Sequence, residues 1–524
     1  MTAALTAPLA FRLGSVAYRV GNGDGQFSIW NTAWVARALV LDPLHVFDAN
    51  IFYPHTGALA YSEANLGSGA LAVPVYWATG NVYAAHGFVV LLSFLLSAVG
   101  TYYLVRYLTG DRLAAAVAGI AFGFCPHVFA HLLHIQLLWT AGLPWSLLAF
   151  HQLSDRPSTG RGVTLGLAMA AQLYFCAYYA VFLVLLVGGF TLATAVLRRR
   201  WIDLTYWRAV AIGAVVAIST SLPLLVPYLE FQRSTGFVRP LSASDGFSAD
   251  WRAYFASAAL AHTWLLPLLG RWNEVLFPGF VAGSFCFVGI ALGWQARGRV
   301  RETTVLYLLA GVLALWASFG PTAGLYRLLY AGFPAFSLMR APSRFGVVVL
   351  LATCVLAGLG IARLRRRWFA APVAAAALLA VTVVEHVVPL EFQQVAPPAP
   401  VYVALATSPP GALIEMPVYS ERAQFARTKY MLATTIHWMP LVNAYSDYIP
   451  ADFEARMETL GGFPSVESLR LLQQDGVRYA IFHLDEYGEM RPDLERQLAA
   501  FSSSLVLRYG DETARLYEIA DRAK

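Results

Sequence analysis

Long apolar stretches separated by short polar connections fill the first three quarters of the chain. A helix that spans a bilayer needs about 20 mostly apolar residues. Ten stretches meet this pattern: 82–105, 113–130, 133–151, 163–178, 180–197, 209–229, 276–295, 303–320, 345–362 and 369–388. An eleventh candidate, residues 3–20, is interrupted by Arg12, and the shorter stretch 66–79 is typical of an interfacial or re-entrant helix. The pattern therefore predicts a mainly α, polytopic transmembrane bundle of about 10–11 spans.

The arginines predict which way this bundle lies in the membrane. Five short connections are rich in arginine: 106–112, 156–161, 198–208, 297–301 and 363–367. With the ten spans above, all five lie on one side, and the positive-inside rule makes that side cytoplasmic. The opposite, extracytoplasmic side then holds the first outer loop (21–81), the loops 230–275 and 321–344, and everything after residue 388.

Composition supports this division and excludes a wholly soluble protein. Apolar residues make up 58% of the chain and charged residues 13%, whereas soluble domains average about 45–50% and about 25%. Residues 1–388 hold 25 Lys and Arg against 13 Asp and Glu, and residues 389–524 hold 12 against 18. We find no basic stripe with interleaved aromatic residues, so nucleic acid is not an expected partner.

Residues 389–524 have the pattern of a separate α/β domain. GALIEMPV and GVRYAIFHL are apolar runs bounded by glycine, as buried strands are. SSLVLRYGDETARLYEIA predicts a hairpin that turns at Gly510-Asp511, and SVESLRLLQQDG predicts a helix capped by Ser465. The predicted organisation is thus a transmembrane domain over 1–388 and an extracytoplasmic α/β domain over 389–524.

Asp24 is the first candidate for chemistry. It lies between glycines in VGNGDGQFSIWNTAW, where a predicted span leaves the membrane. Glycines let the backbone approach a ligand closely, and an acid at this position is suited to act as a general base. The alternative is a solvated turn followed by an interfacial belt of aromatic residues.

The rest of the first outer loop concentrates polar groups among aromatic ones. Asp48, His55 and Glu63 lie in DPLHVFDANIFYPHTGALAYSEANLGSG, which contains few cations. Its aromatic residues, Tyr53 among them, indicate packing onto the membrane face rather than an ordinary polar loop, which is the alternative.

Three histidines follow one another in FCPHVFAHLLHIQLLW. The spacing of His127, His131 and His134 places them on one face of a helix. Because no acid or cysteine nearby completes a ligand set and no HExxH motif is present, we predict no metal site here. The remaining interpretations are polar groups that line an outer cavity, where they are able to donate hydrogen bonds to a phosphate, and histidines that cap a span at the interface.

Arg340 and Arg344 lie in FPAFSLMRAPSRFGVV, just before the predicted span at 345. Positive charge at an outer boundary runs against the positive-inside trend, so it indicates a counter-acid or an anionic ligand. Arginine suits phosphate because its planar fork donates two hydrogen bonds at once. The alternative is snorkelling towards lipid phosphates.

With these motifs placed, the chain resembles the GT-C superfamily of integral-membrane glycosyltransferases, near the bacterial protein O-mannosyltransferase and aminoarabinose transferase branches. The segments that carry the resemblance are GDGQFSIWNTAW, FYPHTGAL, FCPHVFAHLLHIQLLW, LMRAPSRFG and GVRYAIFH. The resemblance implies a bacterial plasma-membrane enzyme that moves a hexose or pentose from a polyprenyl-phosphate donor to an extracytoplasmic glycan, lipid or protein.

The resemblance also implies roles for individual residues. Asp24 matches the acid that acts as base at the start of the first outer loop, although Gly25 follows where the mannosyltransferases have a second acid. The candidates are, for catalysis, Asp24, Glu63 and Asp48; for the donor phosphate, Arg340, Arg344, His131 and His134; and for substrate, Tyr53, His55 and Gln26. We expect no cofactor, and a divalent metal stays open because some branches need one and this chain has no DxD.

Two other functions stay open at this point. A transporter or lipid flippase typically has intramembrane charges and an inverted repeat, whereas this chain keeps its charges at span ends. A non-catalytic scaffold of envelope assembly would act through the C-terminal domain, where the aromatic residues of TTIHWMPLVNAYSDYIP offer a surface for a glycan or peptide.

Overall fold

A computed structural model describes residues 1–520, without the side chains of Arg366, Arg367 and Glu421. Its helices are α1 (Thr2–Leu5), α2 (Gly23–Leu41), α3 (Leu66–Thr79), α4 (Val82–Thr109), α5 (Arg112–Gly123), α6 (Pro126–Ala130), α7 (Ile135–Leu138), α8 (Gly142–Asp155), α9 (Thr159–Phe175), α10 (Ala177–Leu197), α11 (Leu204–Thr235), α12 (Leu266–Leu269), α13 (Phe280–Gln295), α14 (Arg299–Ser318), α15 (Leu325–Gly332), α16 (Gly346–Trp368), α17 (Pro372–Glu385), α18 (Pro400–Ala406), α19 (Thr428–His437), α20 (Ala451–Leu460), α21 (Val466–Gln474) and α22 (Arg491–Ala500). The strands are β1 (Val16–Tyr18), β2 (Phe392–Gln394), β3 (Ala412–Met416), β4 (Val477–His483), β5 (Leu505–Gly510) and β6 (Ala514–Ile519).

The chain forms two compact units. Unit 1 contains residues 1–11 and 89–391, and unit 2 contains residues 12–88 together with the chain from residue 392 onwards. Residues 21–81, the predicted first outer loop, thus belong to the same unit as most of the predicted C-terminal domain. The division at residue 388/389 stays a prediction, and the last four residues of that domain, 521–524, lie outside the described residues.

The protein is a multi-pass membrane protein with a mainly helical fold, as the sequence predicts. Among the described residues, six helical segments are long and apolar enough to cross a bilayer: Val82–Thr109, Arg112–Ala130, Ala177–Leu197, Leu204–Thr235, Arg299–Ser318 and Pro342–Arg365. The other four predicted spans overlap α8, α9, α13 and α17, which have only 14 to 17 residues. The predicted span 133–151 is not one helix, because the helix is interrupted between α7 and α8. Whether these shorter helices cross the membrane stays a prediction.

Residues 3–20, the eleventh candidate span, do not form a spanning helix. The segment holds the four-residue helix α1, a short 3-10 turn at Leu9–Phe11 and strand β1. Pro8 lacks the N–H that a continuing helix would need, and Arg12 would be costly inside a bilayer. Strand β1 pairs instead with β2 in an antiparallel ladder, with Ala17 opposite Gln393.

Small residues bring the helices of unit 1 into close contact. A Cβ on Gly289 of α13 would lie 1.9 Å from the Leu356 carbonyl oxygen of α16. On α9, a Cβ at Gly162 or Gly166 would lie 2.4 Å from a carbonyl oxygen of α11. Such close backbone approach is the usual way in which helices associate where lipid removes the hydrophobic driving force.

Unit 2 contains a mixed sheet built from the strands and the hairpin that the sequence predicts. The strand order is β3-β4-β6-β5, with β3 and β4 parallel and the other pairs antiparallel. The hairpin β5–β6 turns after Gly510, and Ser465 caps α21 through a reciprocal bond with Ser468. The predicted strands, hairpin and capped helix are therefore all present. Helix α3 spans residues 66–79, the stretch that is too short to cross the membrane.

Candidate functional site

Unit 1 contains a group of charged and imidazole side chains that we call the His–Glu–Arg cluster: His127, His131, His134, Glu274, Arg340 and Arg344. The histidines come from a broken helical segment. His127 lies in α6, His131 ends that helix, and His134 precedes α7. The ring centroids of His127 and His131 are 4.4 Å apart, and those of His131 and His134 are 6.2 Å apart. The three rings therefore stay adjacent although the single helix that their spacing predicts ends at Ala130.

Glu274 is the member of the cluster that sequence reasoning missed. It lies in the irregular segment between α12 and α13, in which nothing marks it as functional. Its Oε1 atom is 3.7 Å from His127 Nδ1 and 3.7 Å from His131 Nε2, and its side chain is 11% exposed. An acid therefore does complete the histidine set, but from a distant part of the chain.

Glu274 is ionised in this setting. Burial alone would raise the pKa of its carboxyl group, but the electrostatic interactions with the His131 and His127 rings, the hydrogen bond from the Val275 N–H and the Arg344 charge outweigh burial and lower the pKa below its usual value. The cluster thus combines one carboxylate with two guanidinium groups and three imidazoles.

Aromatic rings hold both arginines. The Arg344 guanidinium lies 4.0 Å from the centroid of the Tyr178 ring, and that of Arg340 lies 5.0 Å from the Phe247 ring. The Tyr178 hydroxyl also accepts a hydrogen bond of 2.9 Å from the Arg340 backbone N–H. Stacking uses the flat face of a guanidinium and leaves its N–H donors in the plane of the group, so this arrangement orients both forks. The structure therefore brings together Arg340, Arg344, His131 and His134.

Unit 1 also contains an apolar cavity of about 390 Å³, and one of the residues that line it follows Arg344 in the chain. Helices α10, α14, α15 and α16 supply its lining, which consists of aliphatic and aromatic residues. Phe345, which follows Arg344 directly, lines the cavity and stacks on Phe182 with ring centroids 3.9 Å apart. The cavity can accept a hydrocarbon chain but offers no polar side chain to a headgroup.

Asp24 lies in unit 2, in the first turn of α2, within residues 22–26, which we call the Asp24 turn. The Asn22 side chain caps the helix by accepting hydrogen bonds from the backbone N–H groups of Asp24 (3.0 Å) and Gly25 (3.4 Å). The amide of Gln26 donates to the Val20 carbonyl at 3.3 Å. The positive end of the helix dipole lies at this first turn, where it favours a carboxylate such as that of Asp24.

Helix α19 closes over the Asp24 turn. The buried Thr428 hydroxyl lies 2.9 Å from Gln26 Oε1 and 2.7 Å from the Phe425 carbonyl oxygen. A Cβ on Gly23 would lie 3.1 Å from Thr428 Oγ1 and from the same carbonyl. Because glycine has no Cβ, residue 23 permits the close approach of Thr428 and Phe425 to the Asp24 turn. The glycines around Asp24 predict such an approach.

We expect Thr428→Val to lower the free energy of unfolding by about 1–3 kcal/mol, because valine keeps the shape but leaves Gln26 Oε1 without its buried donor. Thr434→Val is the matched control: Thr434 is equally buried on the same helix, and among the described residues its hydroxyl bonds only to the Met431 carbonyl of its own helix. Thermal unfolding of both variants in detergent measures the difference. Equal destabilisation by the two substitutions would contradict a special role for the Thr428–Gln26 contact.

The other candidates of the first outer loop have structural contacts within unit 2. Asp48 Oδ1 accepts the Gly57 backbone N–H at 2.8 Å. The Tyr53 hydroxyl donates to the Asp475 carbonyl at 3.0 Å, and His55 Nε2 lies 3.2 Å from Asp452 Oδ2. The backbone carbonyl of Glu63 accepts from the Asn31 and Asn65 side chains. Catalytic roles for Asp48 and Glu63, and substrate-binding roles for Tyr53 and His55, stay predictions.

The chain matches one family model and several solved structures. A family model described as "6-pyruvoyl-tetrahydropterin synthase related domain; membrane protein" matches residues 70–393. No curated protein matches the chain in sequence.

Two cryo-EM structures of the arabinofuranosyltransferase AftD from Mycobacteria are similar in structure. One has a TM-score of 0.59, 15% identity and coverage of 100% of this chain and 42% of AftD. The other has a TM-score of 0.55, 15% identity and coverage of 95% and 41%.

A crystal structure of ArnT from Cupriavidus metallidurans bound to undecaprenyl phosphate matches with a TM-score of 0.46, 16% identity and coverage of 97% of this chain and 94% of ArnT. The chain spans about two fifths of the length of the AftD structures. The likeness to AftD shows the fold, so the GT-C type of fold that the sequence motifs predict is confirmed.

Proposed function

This chain belongs to the 6-pyruvoyl-tetrahydropterin synthase related family of membrane proteins, and from that premise and its GT-C fold we propose that it is a membrane glycosyltransferase. It transfers a sugar from a polyprenyl-phosphate donor to an acceptor outside the cytoplasm of a bacterial cell. The sugar is a hexose or a pentose, and the acceptor is a glycan, a lipid or a protein of the envelope.

The observation that carries this proposal is that Phe345, the residue after Arg344 in the chain, lines an apolar cavity. A polyprenyl phosphate needs a hydrocarbon environment for its chain and a basic site for its headgroup. Phe345 lines the cavity, and Arg344, its neighbour in the chain, belongs to the His–Glu–Arg cluster. This combination fits an anionic lipid better than it fits a soluble anion, which would have no use for the cavity.

The cluster is suited to the charge that develops when the donor bond breaks. The phosphate gains negative charge as the sugar leaves, and fixed N–H donors at that place lower the barrier. Arg340 and Arg344 supply planar forks for this purpose, with His134 as a further donor. The aromatic rings under both guanidinium groups hold them in place before reaction, so little reorganisation is needed.

Asp24 is the proposed general base. Its carboxylate takes the proton of the acceptor hydroxyl as the oxygen attacks the sugar C1, and the lipid phosphate leaves with the bonding electrons. A single displacement of this kind inverts the configuration at C1. The capped first turn of α2 supports the role, because Asn22 and Gln26 fix the backbone that carries Asp24.

Lipid binding and transfer in proteoliposomes test the proposal. We expect the purified protein to bind decaprenyl phosphate at least about 10-fold more tightly than decaprenol, because a charge-assisted contact is worth about 1.5–3 kcal/mol. We also expect it to pass radiolabel from a decaprenyl-phosphate sugar to a cell-envelope extract.

Three results would contradict the transferase. Equal binding of the alcohol and the phosphate would remove the basis of the headgroup site. Movement of labelled lipid between leaflets without transfer would indicate a flippase instead. Binding of envelope glycans by the protein, with neither lipid binding nor transfer, would indicate a scaffold.

A further inference from the structure

Two histidines and a glutamate in unit 1 converge as ligands of a cation would. One nitrogen of His127, one of His131 and one carboxylate oxygen of Glu274 all lie within 4.8 Å of one another. The His127 side chain is fully buried, and the other two are 13% and 11% exposed. The Glu274 carboxylate also accepts hydrogen bonds from the Val275 backbone N–H at 3.0 Å and from the Ser343 hydroxyl at 3.4 Å.

The spacing is wrong for hydrogen bonds and close to that of metal ligands. The two distances from Glu274 Oε1 to imidazole nitrogens are both 3.7 Å, longer than the ~2.7–3.2 Å of an N–H···O bond. Ligands at ~2.0–2.2 Å from a tetrahedral zinc ion lie roughly 3.4 Å apart. The three side chains are therefore close enough to surround one ion after side-chain rotation.

The surrounding hydrogen bonds fix the tautomer of both imidazoles. His131 Nδ1 lies 2.8 Å from the His127 carbonyl oxygen, so the Nδ1–H donates there and Nε2 presents its lone pair towards Glu274. His127 Nδ1 lies 3.2 Å from the Val275 carbonyl oxygen. Ligating histidines typically donate their second N–H to such an oxygen, which fixes the tautomer and the ring.

His127 carries a second, independent indication. Its Nε2 atom is buried, and it has no hydrogen-bond partner among the described residues. If Nδ1–H donates to Val275, Nε2 holds the lone pair of the ring, whereas the nitrogen that lies 3.7 Å from Glu274 Oε1 is Nδ1. A turn of the His127 ring that brings Nε2 towards Glu274 and His131 would let a cation satisfy this atom.

We propose that His127, His131 and Glu274 bind a divalent zinc-class cation. Two imidazoles and one carboxylate form a set that zinc prefers, and three protein ligands leave one position of a tetrahedron open. Arg344 lies in the same cluster, and its positive charge opposes a second cation nearby. We therefore expect weaker binding than in a closed structural zinc site. The assignment does not depend on the proposed transferase.

Zinc content of the full-length protein in detergent tests this assignment. After removal of metals with a chelator and dialysis against zinc chloride, mass spectrometry should find about one zinc per chain. We expect the zinc retained at the same free concentration to fall to about a tenth or less in His131→Ala and in Glu274→Gln, because each change removes a ligand. His45→Gln, which alters an exposed histidine paired with Asp42, should retain zinc fully.

Cobalt(II) offers a second readout that unfolding does not imitate. Cobalt bound in place of zinc should give the visible absorption of a four- or five-coordinate ion in the wild type and in His45→Gln, and lose it in the two ligand variants. Thermal unfolding of each variant shows whether it is folded, and Glu274→Gln keeps the shape of the side chain. Wild-type protein without zinc, or zinc content unchanged by both substitutions, would overturn the site, whether or not sugar transfer is found.

Discussion

Replacing Asp24 with asparagine is expected to abolish sugar transfer and to leave the protein folded. Asparagine has the same shape, and the backbone N–H of residue 24 still donates to the Asn22 side chain, so the cap of α2 survives. What is lost is the basic carboxylate. General bases contribute roughly 10²–10⁴-fold to a rate, so transfer should fall by that factor.

Transfer of label from decaprenyl-phosphate sugar in proteoliposomes measures this loss. Asp42→Asn is a suitable control because Asp42 follows the other end of α2 and pairs with the exposed His45; this variant should transfer like the wild type. Binding of decaprenyl phosphate should be nearly the same in all three proteins, since the base is not proposed to hold the phosphate. Full transfer by Asp24→Asn would show that another group takes the proton.

The elements of this fold follow from local patterns, which explains why the sequence predicts them well. A run of apolar residues forms a helix in lipid because every backbone polar group must be satisfied within the segment. In the C-terminal sheet, glycines bound β3 and β4, and Ser465 caps α21 through Ser468. These signals lie within a few residues of the elements that they define.

Glu274 could not be found in this way because its role depends on a contact between distant segments. Its neighbours in the chain, RWNEVLFPG, contain no motif. Only the fold brings its Oε1 atom within 3.7 Å of His127 and His131. The spacing of the histidines indicates a cluster. The acid that joins it lies in the segment before α13, more than a hundred residues further along the chain.

Residues 12–88 belong to the same unit as the chain from residue 392 onwards because, as for Glu274, segments distant in sequence make contact. The Thr428 hydroxyl donates a hydrogen bond to the Gln26 side chain, and the Tyr53 hydroxyl donates one to the Asp475 backbone carbonyl. Hydropathy separates the membrane part from the acidic tail but carries no information on which outer loop packs on that tail. The misjudged segment 3–20 shows the same limit, because strand β1 forms only through its partner β2.

Replacing Arg344 with alanine is expected to reduce transfer by about 10²–10³-fold, the usual cost of one donor that stabilises developing charge. Lysine should recover part of the loss, since it keeps the charge but not the planar fork that stacks on Tyr178. Arg327→Ala, which changes an exposed arginine of α15, should have little effect. Transfer assays on the three variants measure the differences.

The division of the Arg344 effect between kcat and KM decides what this arginine does. If it only anchors the lipid headgroup, alanine raises KM and leaves kcat unchanged, because donor and transition state lose the same interaction. If it stabilises the leaving phosphate, kcat falls, because the interaction strengthens as charge develops. We expect kcat to fall, since the Tyr178 ring already holds the guanidinium in place before charge appears. A change confined to KM would restrict Arg344 to binding, and no change in either would remove it from the site.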